Sequence, residues 1–600
     1  MNKGAVYHRA DSEWCYLGDD GLLTIVLRAA RGDLQGVQMV YDDRYDAKPK
    51  RPWRRLMLEK RHSAGGYDYF QMAFQCPYSR IGYFFLLTAA SGETAYFYQD
   101  GFSEQYSWGR QRLFQLPYLH PEDTPRVPQW LKESVAYQVF PDSFAQGRGR
   151  MEPAPAERTT PDGRTVSSRL GGTLRGVIEN LPYLRELGVN LLYLNPIFTA
   201  LSYHKYDTIE YYHIDPCLGT DEDFKELVAQ CHAMGIRVML DLVFNHMSRE
   251  HPFFRDVLEK GEGSPYADWF CIHRFPVKDE QGHHYESFAF LEEMPKLNTA
   301  NPKAADYLLA VARYWLREYG VDGYRLDVAN EVSHTFWRRF RREMEAVRPD
   351  VAIIGEVWHE APEWIGRDQF HSVMNYPLLY AVWGFFGQDS LQAQEFTEII
   401  GRLALLYRRD NVAAMMNFLD NHDTCRFYSI CGRQRPRLRL AAAFLLSYVG
   451  MPLLFYGDEA ALDGGNELES RQAMKWQLGA EDRELADWFR LLIHTRQAHP
   501  ALLRGDFRSA GCDPLHGTAA FWREAGQGQE RVLCLFHNAQ DAAAYPLPEG
   551  AAYTDLLTGE RFSGGEAANL APFGARLLAA SSLREASSHK EASSFQEDKQ

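Results

Sequence analysis

Residues 220–246 read TDEDFKELVAQCHAMGIRVMLDLVFNH, and the fold turns on how they are read. Thr220 followed three residues later by Asp223 is a capping-box pair, which opens a helix. Phe224, Leu227, Val228 and Cys231 then recur at i, i+3, i+4 and i+7, one apolar helical face. Residues 237–244 follow as a short apolar run, the pattern of a buried strand. A helix feeding such a strand belongs to a parallel sheet covered on both faces.

The same alternation extends in both directions. Strands are predicted at 134–141, 191–198, 237–244, 323–328, 352–358, 372–377, 413–419 and 452–456. Helices lie between them, including one over 173–187. Another starts with Asn301 as N-cap and Pro302 as first helical residue and runs to 320. Eight strand–helix repeats predict an α/β protein built on a closed (β/α)8 TIM barrel. An open doubly wound sheet is the alternative with the same local pattern.

Residues 247–300 show no clear period and hold several Pro, Gly and His, so they are read as an irregular insertion (subdomain B) after the third strand. Residues 1–122 read as an N-terminal β-sandwich. They carry β-rich runs at 22–27 and 36–41, and Tyr96-Phe97-Tyr98 before an Asp100-Gly101 hairpin turn. The aromatics of this region are read as core, with a sugar-binding face as the alternative. A three-proline linker at 121–128 leads into the barrel, expected over 123–246 and 301–502. Residues 503–580 return to strands without helices (519–523, 531–536, 576–579), a C-terminal β-sandwich. Residues 581–600 have the composition of a disordered tail.

The 600-residue chain carries 65 Lys and Arg against 80 Asp and Glu, a net charge of −15. That argues against nucleic-acid partners and anionic membranes. Apolar runs such as 449–456 fall far short of the ~18 residues that suggest a membrane span. Nine scattered cysteines without a C-x-x-C pair, and no apolar leader at the start, read as reduced thiols in the cytoplasm.

In such a barrel the reactive groups sit at the C-terminal strand ends. The third strand ends in Asp241, Asn245 and His246, with 241, 243 and 245 alternating onto one face. The fourth carries Arg325 and Asp327 on one face, and a cation beside a carboxylate lowers its pKa, as a nucleophile requires. Glu356 closes an apolar fifth strand beside Trp358, where a raised pKa would suit a general acid. The seventh ends in Asp420, His422, Asp423 and Arg426. Two acids under opposed pKa pressures suit displacement at an acetal centre. For any single pair the plainer reading stands equally well: a structural Arg325–Asp327 ion pair and a satisfied buried Glu356. Four polar strand ends together favour a site.

These segments resemble the α-amylase family of glycoside hydrolases. Residues 241–246, 323–331, 355–358 and 418–423 are similar to its four signature regions, and 188–198 and 450–459 to two flanking ones. Residues 294–298 (MPKLN), 328–331 and 356–359, with the extra N-terminal β-domain, resemble the neopullulanase, cyclomaltodextrinase and maltogenic amylase subfamily. The resemblance implies retaining cleavage of α-1,4 bonds, with α-1,6 bonds as a second candidate, in cyclodextrins, pullulan and short maltooligosaccharides. Some transglycosylation would accompany it. Asp327 would be the nucleophile, Glu356 the acid/base and Asp423 the transition-state stabiliser. Arg325 would orient Asp327, His246 and His422 would bond the distorted sugar, and Tyr206 would stack on it. Asp207 and Arg426 would form a bounding pair, and Glu331 and Trp358 would shape the acceptor side. A homodimer is implied, in which one chain's N-terminal domain caps the other's cleft.

Some relatives hold calcium in an acidic loop after the first strand. Here Arg148 and Arg150 stand in that loop, and Thr173 replaces an aspartate, so neither calcium at that site nor another cofactor is expected. Asn245 and the carbonyls of the insertion are left open for an ion elsewhere. The rival readings are an α-glucosidase or oligo-1,6-glucosidase of the same family, and a non-catalytic carbohydrate-binding relative. A third is a metal-dependent hydrolase on His204, His246 and His422, which lacks H-x-H or H-E-x-x-H spacing.

Overall fold

Eight short parallel strands pair in the order six-five-four-three-two-one-eight-seven. They are Ser372–Val373, Ala352–Gly355, Gly323–Leu326, Arg237–Leu242, Leu191–Leu194, Ala136–Val139, Met451–Phe455 and Met416–Phe418. A parallel bridge from Met374 to Met416 joins the two outer strands and closes the ring, so the barrel forms rather than the open sheet. Apart from Arg237 every residue in these strands is buried, because helices cover one face and the barrel interior the other. The computed structural model describes residues 1–46, 53–107, 109, 111–124, 126–161, 163–365, 368–513, 517–526 and 529–582. All but the first two residues of the expected tail lie outside them.

The strands end earlier than the apolar runs suggest. The fifth stops at Gly355, so Glu356 and Trp358 stand beyond it; the sixth keeps two residues before Asn375 caps the helix Tyr376–Val382. Residues just past the ladder are released from strand pairing and are free to face the barrel mouth. Cross-strand register sets Asp241 opposite Arg325 and Leu326 opposite Gly355, which aligns the three polar ends side by side.

Both bonds of the Thr220–Asp223 capping box open the helix Asp221–Ala233. The helix expected over 173–187 is two pieces, Leu174–Glu179 and Leu181–Leu187. Pro182 lacks the N–H to continue the first and instead sits in the opening turn of the second. Asn301 caps Pro302–Tyr314, which widens into the π-turn Trp315–Tyr319 and stops at Gly320 with φ 71°. Inside the insertion, Pro252–Lys260 is helical, against the expected irregularity; only Phe254 and Val257 of its residues are buried, too few to mark a period. The bridge His246–Lys296 ties the end of the insertion to the segment just past the third strand, and Phe270–Leu297 pairs within the insertion.

Residues 128–388 and 414–498 form one compact unit around the barrel, and 1–127, 389–413 and 499–600 form the other. In the second unit, Arg54–Ala64 pairs with Leu34–Asp42 through its first half and with Tyr67–Phe74 through its second. Leu23, Ile25, Val37, Phe70, Tyr83 and Phe85 pack into the core of this N-terminal β-domain. Thr94–Tyr98 and Gly101–Ser103 form the expected hairpin. The C-terminal strands build a six-stranded antiparallel sheet and a two-stranded ribbon. The helix Ala393–Leu403 packs on Arg54–Ala64 and Asp506–Asp513. Gly401 permits that approach, since a Cβ there would collide with the His62 ring. Among the described residues no helix is long and apolar enough to cross a membrane. All nine cysteines are free.

Candidate active site

Arg325 is fully buried at the end of the fourth strand and organises three carboxylates. Its Nη1 donates to Asp327 Oδ1 at 2.7 Å and to Asp241 Oδ1 at 2.9 Å. Its Nη2 lies 2.9 Å from Glu356 Oε1 without an N–H aimed at it. After Asp327 the chain turns through Val328 at φ 44°, a left-handed conformation that β-branched residues rarely adopt. That turn points the Val328 N–H at Glu356 Oε2, 2.8 Å away. Trp358 Nε1 donates to the other oxygen at 3.0 Å. Asp327 and Glu356, from adjacent strand ends, therefore flank one guanidinium.

The expected depression of the Asp327 pKa is not found. Burial pushes Asp327 well above the usual carboxylate range, and the neighbouring Glu356 and Asp241 push the same way against Arg325. Burial raises Asp241 as well. The sequence places one cation beside one acid; the fold makes that cation serve three acids, all nearly buried. Such a cluster holds on to a proton.

Asp423 accepts from Arg471 Nη2 at 3.0 Å and faces His422 Nε2 at 3.1 Å. Its side chain keeps about a quarter of its surface (26 %) exposed. Burial, then the charge of Glu356, raises it to about 7 against Arg471 and Arg325. Gln138 Nε2 donates to His422 Nδ1 at 2.8 Å, and burial keeps the ring neutral, so its proton sits on Nε2 beside Asp423. The Tyr206 hydroxyl donates to Asp241 Oδ2 at 3.0 Å, accepts from Asn195 at 3.0 Å and contacts His422 Nε2. The Tyr206 and His422 rings lie nearly parallel. His246 packs on Phe288 with centroids 5.0 Å apart, and burial lowers it to about 3, which keeps it neutral.

The expected Asp207–Arg426 pair does not form. Asp207 accepts from the Ser202 backbone N–H at 3.2 Å and from its hydroxyl. Arg426 turns inward to Asp458 at 3.1 Å and the Ser470 carbonyl at 3.0 Å, under the Phe455 ring at 3.8 Å. Glu331 bonds Lys296 Nζ at 3.0 Å. Trp358 is 43 % exposed and stacks on Tyr376 with centroids 4.2 Å apart. Arg471, Gln138, Asn195 and Tyr376 were missed in the sequence. Gln138 had a signal, a polar residue within an apolar first strand. Arg471 lies in an irregular segment with none.

The loop after the first strand does not fit calcium. Asp142, its acidic residue, already accepts from Ser168 Oγ and the backbone N–H groups of Arg169, Leu170 and Gly171. Asn245 Oδ1, the oxygen left open for an ion, accepts from the Lys296 ammonium instead. Among the described residues no group of three or more His, Cys, Asp or Glu is placed to hold a metal. His204 Nδ1 accepts the Tyr206 N–H and His422 Nδ1 accepts from Gln138 Nε2.

A family profile described as alpha amylase, catalytic domain, matches residues 138–524, and one described as alpha amylase, N-terminal ig-like domain, matches 1–120. A cyclomaltodextrinase of Geobacillus thermopakistaniensis is 39 % identical over 567 residues, covering 94 % of this chain and 96 % of that protein. Neopullulanase 2 of Thermoactinomyces vulgaris is 40 % identical over 564 residues, covering 93 % and 96 %. A solved cyclomaltodextrinase superposes with a TM-score of 0.88 at 36 % identity, covering 97 % of this chain and all of that one.

Proposed function

The chain belongs to the α-amylase family of glycoside hydrolases, and on that premise we propose that it hydrolyses α-1,4-glucosidic bonds of cyclodextrins, pullulan and short maltooligosaccharides, with α-1,6 bonds and some transglycosylation as secondary activities. The observation that carries this is the placement of Asp327 and Glu356 on neighbouring nitrogens of Arg325. Asp327 Oδ attacks the anomeric carbon and forms a glycosyl ester, while Glu356 gives its proton to the departing oxygen. Glu356 then takes a proton from water, whose oxygen displaces Asp327 and restores the α configuration. Positive charge developing at the anomeric carbon favours an ionised Asp327.

Asp423, with the neutral His422 and His246, binds sugar hydroxyls, and Tyr206 packs against the same ring. Trp358 and Glu331 border the leaving-group side. Arg426 is assigned a structural role instead. A cytoplasmic location agrees with nine free thiols. A homodimer in which the N-terminal domain caps a partner's cleft would select small or cyclic substrates; it rests on the subfamily resemblance, and gel filtration reads it directly.

The test compares kcat/KM on β-cyclodextrin, pullulan, soluble starch and isomaltose, with proton NMR of early product. Preference for the first two over starch and release of the α-anomer are expected. Release of the β-anomer would remove the double displacement, and preference for isomaltose would move the chain to the oligo-1,6-glucosidase reading.

A further inference from the structure

Glu356 defines the side from which the leaving group departs, and an aromatic run leads away from it. Trp358 bonds Glu356 and stacks on Tyr376, whose hydroxyl bonds Asn421 at 2.9 Å and whose ring is buried. One helical turn later, in Tyr376–Val382, Tyr380 stands 47 % exposed. Its centroid is 6.5 Å from that of Tyr376, tilted by 39°, and 6.2 Å from that of Trp383, which meets it edge-on. Trp383 is itself pinned by its indole N–H to the Leu419 carbonyl at 2.7 Å. Side chains on a helix lean toward its N-terminus, here the end next to the barrel mouth.

A scattered surface aromatic needs no explanation. Tyr380 differs in two respects. Its ring orientation is fixed by two aromatic neighbours, which lowers the entropy lost on binding. It also continues an aromatic path that begins at the proton donor. A flat, rigid, half-exposed ring suits the apolar face of a pyranose better than a charged or extended peptide partner. The steps from Trp358 to Tyr376 and on to Tyr380, 4.2 and 6.5 Å between centroids, are within the reach of a short oligosaccharide.

We propose that Tyr380 is an acceptor-side platform on which a sugar beyond the one at Trp358 stacks, so that it sets the preference for longer α-glucans and oligosaccharide acceptors. This deepens the reading in which Glu356 protonates the leaving oxygen and rests on it. No bond is made or broken at Tyr380; its contribution is binding.

The experiment measures the full chain and its Tyr380→Ala and Tyr380→Phe variants on maltotriose and maltoheptaose, with maltotriose added as transfer acceptor. For Tyr380→Ala, kcat/KM on maltoheptaose should fall about 3- to 10-fold through KM with kcat retained, while maltotriose hydrolysis changes less than about twofold. The transfer-to-hydrolysis ratio should fall with it, and Tyr380→Phe should keep wild-type behaviour. Equal losses on both substrates, or wild-type values on both with an unchanged transfer ratio, would overturn the platform. If the wild-type chain turned over neither substrate, the hydrolase reading itself would fail, a distinct result.

Discussion

Two buried arginines at the barrel's strand ends use the same ingredients for different ends. Arg325 meets Asp241, Asp327 and Glu356; Arg426 meets Asp420 and Asp458. Around Arg426 the fold shuts out solvent: the guanidinium is fully buried and both acids nearly so. Asp420 accepts the Phe427 N–H, Asp458 accepts the Phe455 N–H, and an aromatic ring covers the guanidinium. Around Arg325 it does not. Glu356 is held by a backbone N–H and by the half-exposed Trp358, and Asp423 keeps part of its surface open beside it. An ion pair is structural when it is sealed under the chain, and available for chemistry when its neighbours keep surface open, as Asp423 and Trp358 do. Charge and burial alone do not separate the two.

The largest effect should come from the open cluster. Asp327→Asn should lower kcat by about 10⁴-fold or more with little change in melting temperature. Appreciable activity would place the nucleophile elsewhere. Next comes the closed cluster: Arg426→Met strands two acids in a dry site, a loss of about 3–5 kcal/mol. Thermal unfolding should show a clear fall in midpoint, larger than for Asp327→Asn; an unchanged midpoint would erase the distinction. The smallest effect sharpens it. Asp423 binds its proton more tightly folded than unfolded, so the stability it contributes is present below pH 3.8 and lost as the pH rises through about 7. Asp423→Asn should therefore melt higher than wild type at pH 8 and show no such gain at pH 4. A pH-independent difference would contradict the raised pKa.

Much of this was legible beforehand, for identifiable reasons. Barrel strands buried on both faces write themselves as apolar runs, and capping pairs such as Thr220–Asp223 mark helix starts locally. Asp327, Glu356 and Asp423 stood out because they interrupt apolar sequence at strand ends. What failed was pairing across the fold. Arg426 was matched to Asp207 only through the family resemblance, but the loop turns Arg426 under Phe455. Arg471, the partner Asp423 does have, sits in a segment with no periodicity. The sharing of Arg325 among three acids follows from strand register and reverses the pKa direction drawn from Arg325 and Asp327 alone.

The chain passes between its two compact units four times, at 127/128, 388/389, 413/414 and 498/499. Neither can be excised as one continuous stretch. Recombination between relatives is therefore constrained: a chimaera that exchanges only the terminal β-domains leaves the 389–413 helical segment matched to the wrong parent. Breeding new specificities into this scaffold calls for moving three segments together.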